Sequence, residues 1–119
     1  MKRKQLGDLG EKLAKNFLKK KGYRILETNF RCPQGEIDIV AQQNDYLVFV
    51  EVRTKSSTNF GSPKESITRA KRDKLITLAL CYLSSHKGLA SLWRIDVVAV
   101  ESDQAGKASN IELIENAVS

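Results

Sequence analysis

At 119 residues, 41% hydrophobic and 29% charged, the chain has the size and composition of one soluble globular domain with one core, spanning residues 1–119. A formal net charge of +6 and a pI near 9.4 point to a polyanionic partner, nucleic acid ahead of an anionic membrane. Cys32 and Cys81 stand outside any CxxC spacing, which argues against a zinc site or a disulfide scaffold and fits reduced thiols in the cytoplasm.

The N-terminal MKRKQLGDLGEK carries positive charge with no apolar run behind it, so no signal peptide is expected. No stretch approaches the ~18 apolar residues of a membrane span, and there is no internal repeat. Residues 5–21 have helical spacing: Leu6, Leu9, Leu13 and Phe17 recur every three or four positions, with Ala14 and Leu18 alongside. Lys19, Lys20 and Lys21 suit the negative end of the helix dipole, and Gly22 suits its C-terminal cap.

Residues 23–30 predict a strand, and Cys32-Pro33-Gln34-Gly35 predicts a turn. Two further strands are expected at 36–42 and 46–54. A polar loop follows, and Ser62-Pro63-Lys64-Glu65 has the pattern of a capping box with proline at the first helical position. The long helix expected behind it runs to about Ser85, with Ile67, Leu75, Leu78, Ala79 and Tyr82 on its apolar face. Residues 92–100 predict a strand, 102–109 a loop, and 111–114 a short edge strand. The order is that of a central sheet flanked by helices, in the α/β to α+β range.

Two of these strands carry an acid among hydrophobic residues: Asp38 in GEIDIV and Glu51 in VFVEVR. Strand alternation puts Glu36, Asp38 and Val40 on one face, with Ile37 and Ile39 on the other. It puts Leu47, Phe49, Glu51, Arg53 and Lys55 on one face of the next strand. A two-residue turn at Asn44-Asp45 pairs Gln43 with Tyr46, which brings Asp38 opposite Glu51 and Glu36 opposite Arg53. Directly opposed Cβ atoms lie about 5 Å apart. Two carboxylates that close need a shared proton or a cation, and a hard dication such as Mg²⁺ suits them. The competing reading is a solvated face of cross-strand ion pairs, Glu36 with Arg53 and Glu51 with Arg53 or Lys55.

GEIDIV and VFVEVRTKSS, behind a helix bearing LGDLGEKLAKNFLKKKGYRIL, resemble the YraN-like family of predicted nucleases. That family looks related to the PD-(D/E)xK superfamily of restriction-endonuclease-like folds and to Holliday-junction resolvases. The resemblance implies a restriction-endonuclease-like core of order αβββαβ. It makes Asp38 and Glu51 the metal-binding acids, with Mg²⁺ or Mn²⁺ between them, and Glu11 the helical acid of resolvase-like relatives. Arg53 stands where the superfamily has lysine. Arginine stabilises phosphate charge but is a poor base, and Lys55 is on the same face two residues on.

The implied activity is metal-dependent endonucleolytic hydrolysis of DNA, with branched or repair intermediates as substrates. The alternative is a non-catalytic nucleic-acid-binding module on the same fold, which the arginine at 53 favours; a third is a scaffold whose acids only form ion pairs. Glu36 is either a metal ligand or neighbour, or the partner of Arg53. Glu11 is either functional or a solvated acid. Lys71 falls within the apolar helical face, so it either snorkels or reaches the site or a phosphate. Lys71, Arg72, Lys19 and Lys20 are the expected phosphate contacts. Asp96 is expected to pair with Arg94, His86 to be a solvated helix end, and Trp93, Tyr23 and Tyr82 to be core. The small surface of one domain, with the resolvase likeness, makes a homodimer the expected assembly.

Overall fold

The computed structural model describes residues 3–56, 67–88, 92–102 and 107–118. Helix α1 (Arg3–Lys20) leads into a hairpin of β1 (Arg24–Cys32) and β2 (Gly35–Gln43), then β3 (Tyr46–Ser56), α2 (Arg69–Ser85), β4 (Leu92–Ser102) and β5 (Ala108–Ile114). The strands form one five-stranded sheet in the order β1-β2-β3-β4-β5. All neighbours are antiparallel except β3 and β4, which run parallel because α2 carries the chain back between them. This is the αβββαβ order of a restriction-endonuclease-like core, extended by an antiparallel edge strand.

The helices lie on opposite faces of the sheet. Ala14 and Leu18 of α1 close over Ile39, Ala41, Val48, Val50, Val98 and Val100. Leu75, Leu78, Ala79 and Tyr82 of α2 close over Ile37, Val40, Leu47, Phe49 and Ile95. Because β3 is covered on both sides, it reads as a nearly continuous apolar run, and Glu51 is the charge that interrupts it.

The Asn44-Asp45 turn forms as its residues imply: Asn44 takes φ 54°, and Gln43 pairs with Tyr46. Helix α2 begins later than its sequence pattern suggests. Thr68 is its N-cap, accepting from the Lys71 amide at 3.1 Å, so Ile67 precedes the helix and does not lie on its apolar face. The Ser62–Glu65 capping pattern lies outside the described residues. The last strand is longer than expected, because pairing with β4 extends it back to Ala108.

Two packing details position the rest. A Cβ on Gly10 would overlap the Thr54 side chain, so only glycine lets α1 approach β3 this closely. At the far side, the β1–β2 hairpin lies against α2. The Phe30 and Tyr82 rings meet edge-on at 4.9 Å, and Gly35 sits beneath Lys74 and Leu78. The same contact brings the Cys32 and Cys81 thiols into a hydrogen bond that holds Cys81 above its ordinary pKa.

Gly10→Ala should lower stability by about 1–3 kcal/mol through overpacking, read as a drop in denaturant midpoint. Adding Thr54→Ala should recover part of that loss. Asp96→Ala, which strips Arg94 of its buried counter-charge, should cost about 3–5 kcal/mol by the same measurement.

Candidate active site

The β2–β3 ladder keeps the expected register from Gln43–Tyr46 to Ile39–Val50 and then stops. One step past its end, Asp38 turns its carboxylate onto the backbone, and the Val52 amide donates to Asp38 Oδ2 at 2.8 Å. The neighbouring β1–β2 pairing also skips a step here: Thr28–Ile39 and Phe30–Ile37 pair, and Asn29 between them takes φ 55°. One consequence corrects a simple reading of alternation. Ile37 and Ile39 do not share a face: Ile37 packs under α2 and Ile39 under α1.

Asp38 stands between two other carboxylates here. Asp38 is within hydrogen-bonding reach of Glu51 and feels the charge of Glu11. Glu51 comes from β3, and Glu11 from α1, the residue after the glycine that brings helix and strand together. Glu11 accepts from Asn29 Nδ2 at 2.8 Å, which aims it across the cleft. Burial pushes the Asp38 carboxyl up to about 7; the Glu51 and Glu11 carboxylates push in the same direction, and the Val52 amide only partly offsets them.

Among the described residues, Lys71 is the cation paired with the acids. Lys71 Nζ lies 2.7 Å from Glu51 Oε2, with the carboxylate side chain 13% exposed and the lysine 36%. The apolar face of α2 therefore carries this lysine toward an anion. Glu36 pairs with Arg31 at 3.6 Å, not with Arg53, because the ladder ends before Glu36 could oppose Arg53. It still borders the cleft beside Asp38. Arg53 and Lys55 follow Glu51 along β3, both half-buried, opposite Ala99 and Glu101 of β4.

An open cleft of about 450 Å³ spreads from Asp38 and Glu11, walled also by Asn29, Arg31, Glu36 and Thr54; Glu51 borders Asp38 from the α2 side, and neither it nor Arg53 or Lys55 lines the cleft. Arg72 is exposed beside Arg69 and Asp73 on α2, away from this cleft. Lys19 and Lys20 are exposed at the end of α1. Asn29 was missed from sequence, and its signal was thin: an asparagine in mid-strand is a residue that tolerates positive φ.

Asp96 has the opposite character. It is fully buried, and its carboxylate accepts from Tyr23 Oη at 2.9 Å, Arg94 Nε at 3.0 Å and the Asn116 amide at 2.9 Å. Arg94 also reaches Gln43 Oε1 at 2.6 Å. The pairing with Arg94 is as the sequence suggests, and Tyr23 and Tyr82 are core. His86 is not simply solvated: it stacks on Tyr82 with ring centroids 3.8 Å apart.

The oxygen-only donor set of Asp38 and Glu51 suits a hard dication, which takes one or two carboxylates and keeps its waters. Among the described residues no group of three or more acid, histidine or cysteine ligands closes on one point, so two carboxylates are what the chain itself presents. Among the described residues, no helix is long and apolar enough to cross a membrane.

The raised Asp38 carboxyl has a pH consequence. The folded chain holds a proton that the unfolded chain has already released between the ordinary carboxyl value of 3.8 and about 7. Asp38's contribution is therefore fully present below pH ~4 and is lost as pH rises through about 7. Asp38→Asn keeps an acceptor for the Val52 amide and removes the charge. In metal-free buffer it should melt higher than the wild type at pH 8 and show a flatter stability profile between pH 4 and 7.

Residues 10–100 match the model of a family described as "Uncharacterised protein family UPF0102". A UPF0102 protein of Moorella thermoacetica is 50% identical over 118 residues, covering 98% of both chains. Relatives of the same description from Dehalococcoides mccartyi and Caldicellulosiruptor saccharolyticus are 47% and 43% identical, covering 98% of this chain and 94% and 99% of theirs. The chain carrying this acid cleft therefore belongs to the UPF0102 family.

Proposed function

We propose that this protein is a metal-dependent nuclease that hydrolyses phosphodiester bonds in DNA, acting on branched or repair intermediates. The observation that carries the reading is the meeting of Asp38 and Glu51 at the broken end of a ladder, with Glu11 beside them and burial raising Asp38 to about 7. A fold gains nothing from crowding two acids around one half-buried carboxyl; a site that binds a cation does. The likeness of GEIDIV and VEVR to predicted nucleases supplies the substrate class.

Asp38 and Glu51 would hold Mg²⁺ or Mn²⁺, with Glu36 and Glu11 at its margin. The ion would supply an acidified water and charge relief on the phosphate oxygens. Glu51, on holding the ion, would give up its contact with Lys71, whose ammonium would then serve the phosphate. Arg53 and Lys55 follow Glu51 along β3 and would neutralise the transferring group. Arg72, Lys19 and Lys20 extend the basic surface to which DNA backbone is drawn. A homodimer would present two such clefts to a branched substrate.

Arg53 favours a second reading, a nucleic-acid-binding module without turnover, because guanidinium does not serve as a base at neutral pH. Incubation with flaps, junctions and single strands in Mg²⁺ or Mn²⁺ separates the two. The nuclease cuts at least one of these, and Glu51→Gln or Asp38→Asn abolishes cutting by at least about a hundredfold. Salt-dependent DNA binding with no cleavage in either metal establishes the module instead.

A further inference from the structure

A second hollow, of about 510 Å³, runs between α1 and β1. Lys12, Lys15 and Lys19 form one wall of it, with Asn16 among them. Its other end is bounded by Asp8, Glu11 and Asn29, which also border the acid cleft, so the hollow opens into the candidate active site.

The charges in this wall are uncompensated. Among the described residues none of Lys12, Lys15 and Lys19 has an ion-pair partner. Partners are available in sequence: Asp8 and Glu11 precede Lys12 and Lys15 at the i, i+4 spacing that favours acid–lysine pairs on a helix. Glu11 instead accepts from Asn29 and faces the cleft. The like-charged lysines are left as helical neighbours, an arrangement that works against the helix. Fixed positive charge along a recess, next to fixed negative charge at its end, is an arrangement for a polyanion whose reacting phosphate lies among the acids.

We infer that the α1–β1 hollow is the track of a single polynucleotide strand entering the acid cleft, its phosphates on Lys12, Lys15 and Lys19. The inference deepens the nuclease reading and rests on it for the strand's destination. The lysines form one row at i, i+3 and i+7, which rises ~10 Å along the helix. A duplex would bring a second phosphate row across a groove ~6–12 Å wide, and the β1 side of the hollow offers it Thr28 and Asn29 rather than cations. The lining holds no aromatic ring for base stacking, so the lysine–phosphate contacts carry the binding.

The test is fluorescence anisotropy with a labelled oligo-dT, titrated with salt in EDTA so that no cleavage intervenes. Lys12→Gln/Lys15→Gln/Lys19→Gln should bind at least about tenfold more weakly at low salt. Its slope of log affinity against log salt should fall by about 2, three contacts at ~0.7 each. Lys21→Gln/Arg24→Gln/Lys87→Gln removes the same charge outside the hollow and should change the slope by less than about 0.5. Equal loss in both triple variants overturns the track, because net charge then explains the binding. Unlabelled hairpin duplex displacing oligo-dT as well as oligo-dT itself overturns the single-strand assignment. Failure here with metal-dependent cleavage intact sinks the track alone. A groove-dependent slope in a protein that never cuts sustains the track and sinks the nuclease reading. Circular dichroism melts of both variants confirm that surface substitutions at the three exposed or half-buried positions leave the fold in place.

Discussion

The hydrogen bond from the Val52 amide to Asp38 is the contact on which the cleft depends. It substitutes a side-chain oxygen for a ladder carbonyl, and so ends the β2–β3 pairing where the two acids stand. Were the ladder to continue, Glu36 would oppose Arg53 and the acids would lie on an ordinary charged face. Because it stops, β2 and β3 part, Ile37 passes to the α2 side, and Asp38 borders both the α2 side and the cleft under α1. One backbone bond does not balance the burial of a carboxylate beside two others, which is why Asp38 takes up a proton near neutrality.

Contrast with Asp96 gives this its meaning. Both are aspartates on the inner strands of one sheet. Asp96 is the more deeply buried, yet it has a tyrosine hydroxyl, a guanidinium and an amide donating to it, so its charge is satisfied within the fold. Asp38 has one donor and two acids. A buried ion pair with complete partners is a structural element, and its removal is felt as lost stability. A carboxyl whose neighbours repel it leaves an interaction unfilled, which a proton fills near neutrality and which the proposed cation would fill in its place. Burial alone does not separate the two; the sign of the neighbours does.

The cleft is assembled from elements held by separate cores. α1 is fixed through Ala14, Leu18 and the close approach of Gly10 to Thr54, and it delivers Glu11. α2 is fixed through Leu75, Leu78 and Tyr82, and it delivers Lys71. The sheet between them delivers Asp38 and Glu51. Each charged group is therefore carried by an element whose position is set by apolar packing elsewhere, which keeps mutually repelling acids together at a cost the two cores absorb.

Much of this was readable from the sequence. Alternation and the Asn44-Asp45 turn placed Asp38 against Glu51, because side-chain period and hairpin geometry are local rules. Periodicity placed both helices and all five strands, and Lys71 stood out as a charge in an apolar stripe. Tertiary structure decided what local rules do not reach. Ladder termination at Ile39–Val50 turned Glu36 to Arg31; Gly10 and Asn29, unremarkable in a one-dimensional reading, brought Glu11 to the acids; and Thr68 displaced the start of α2. Tyr23, Arg94 and Asp96 became one network, and Lys12 and Lys15 were left without the acid partners their i, i+4 spacing offers. In each case the deciding interaction joins residues distant in the chain, and no local pattern records the competition it wins.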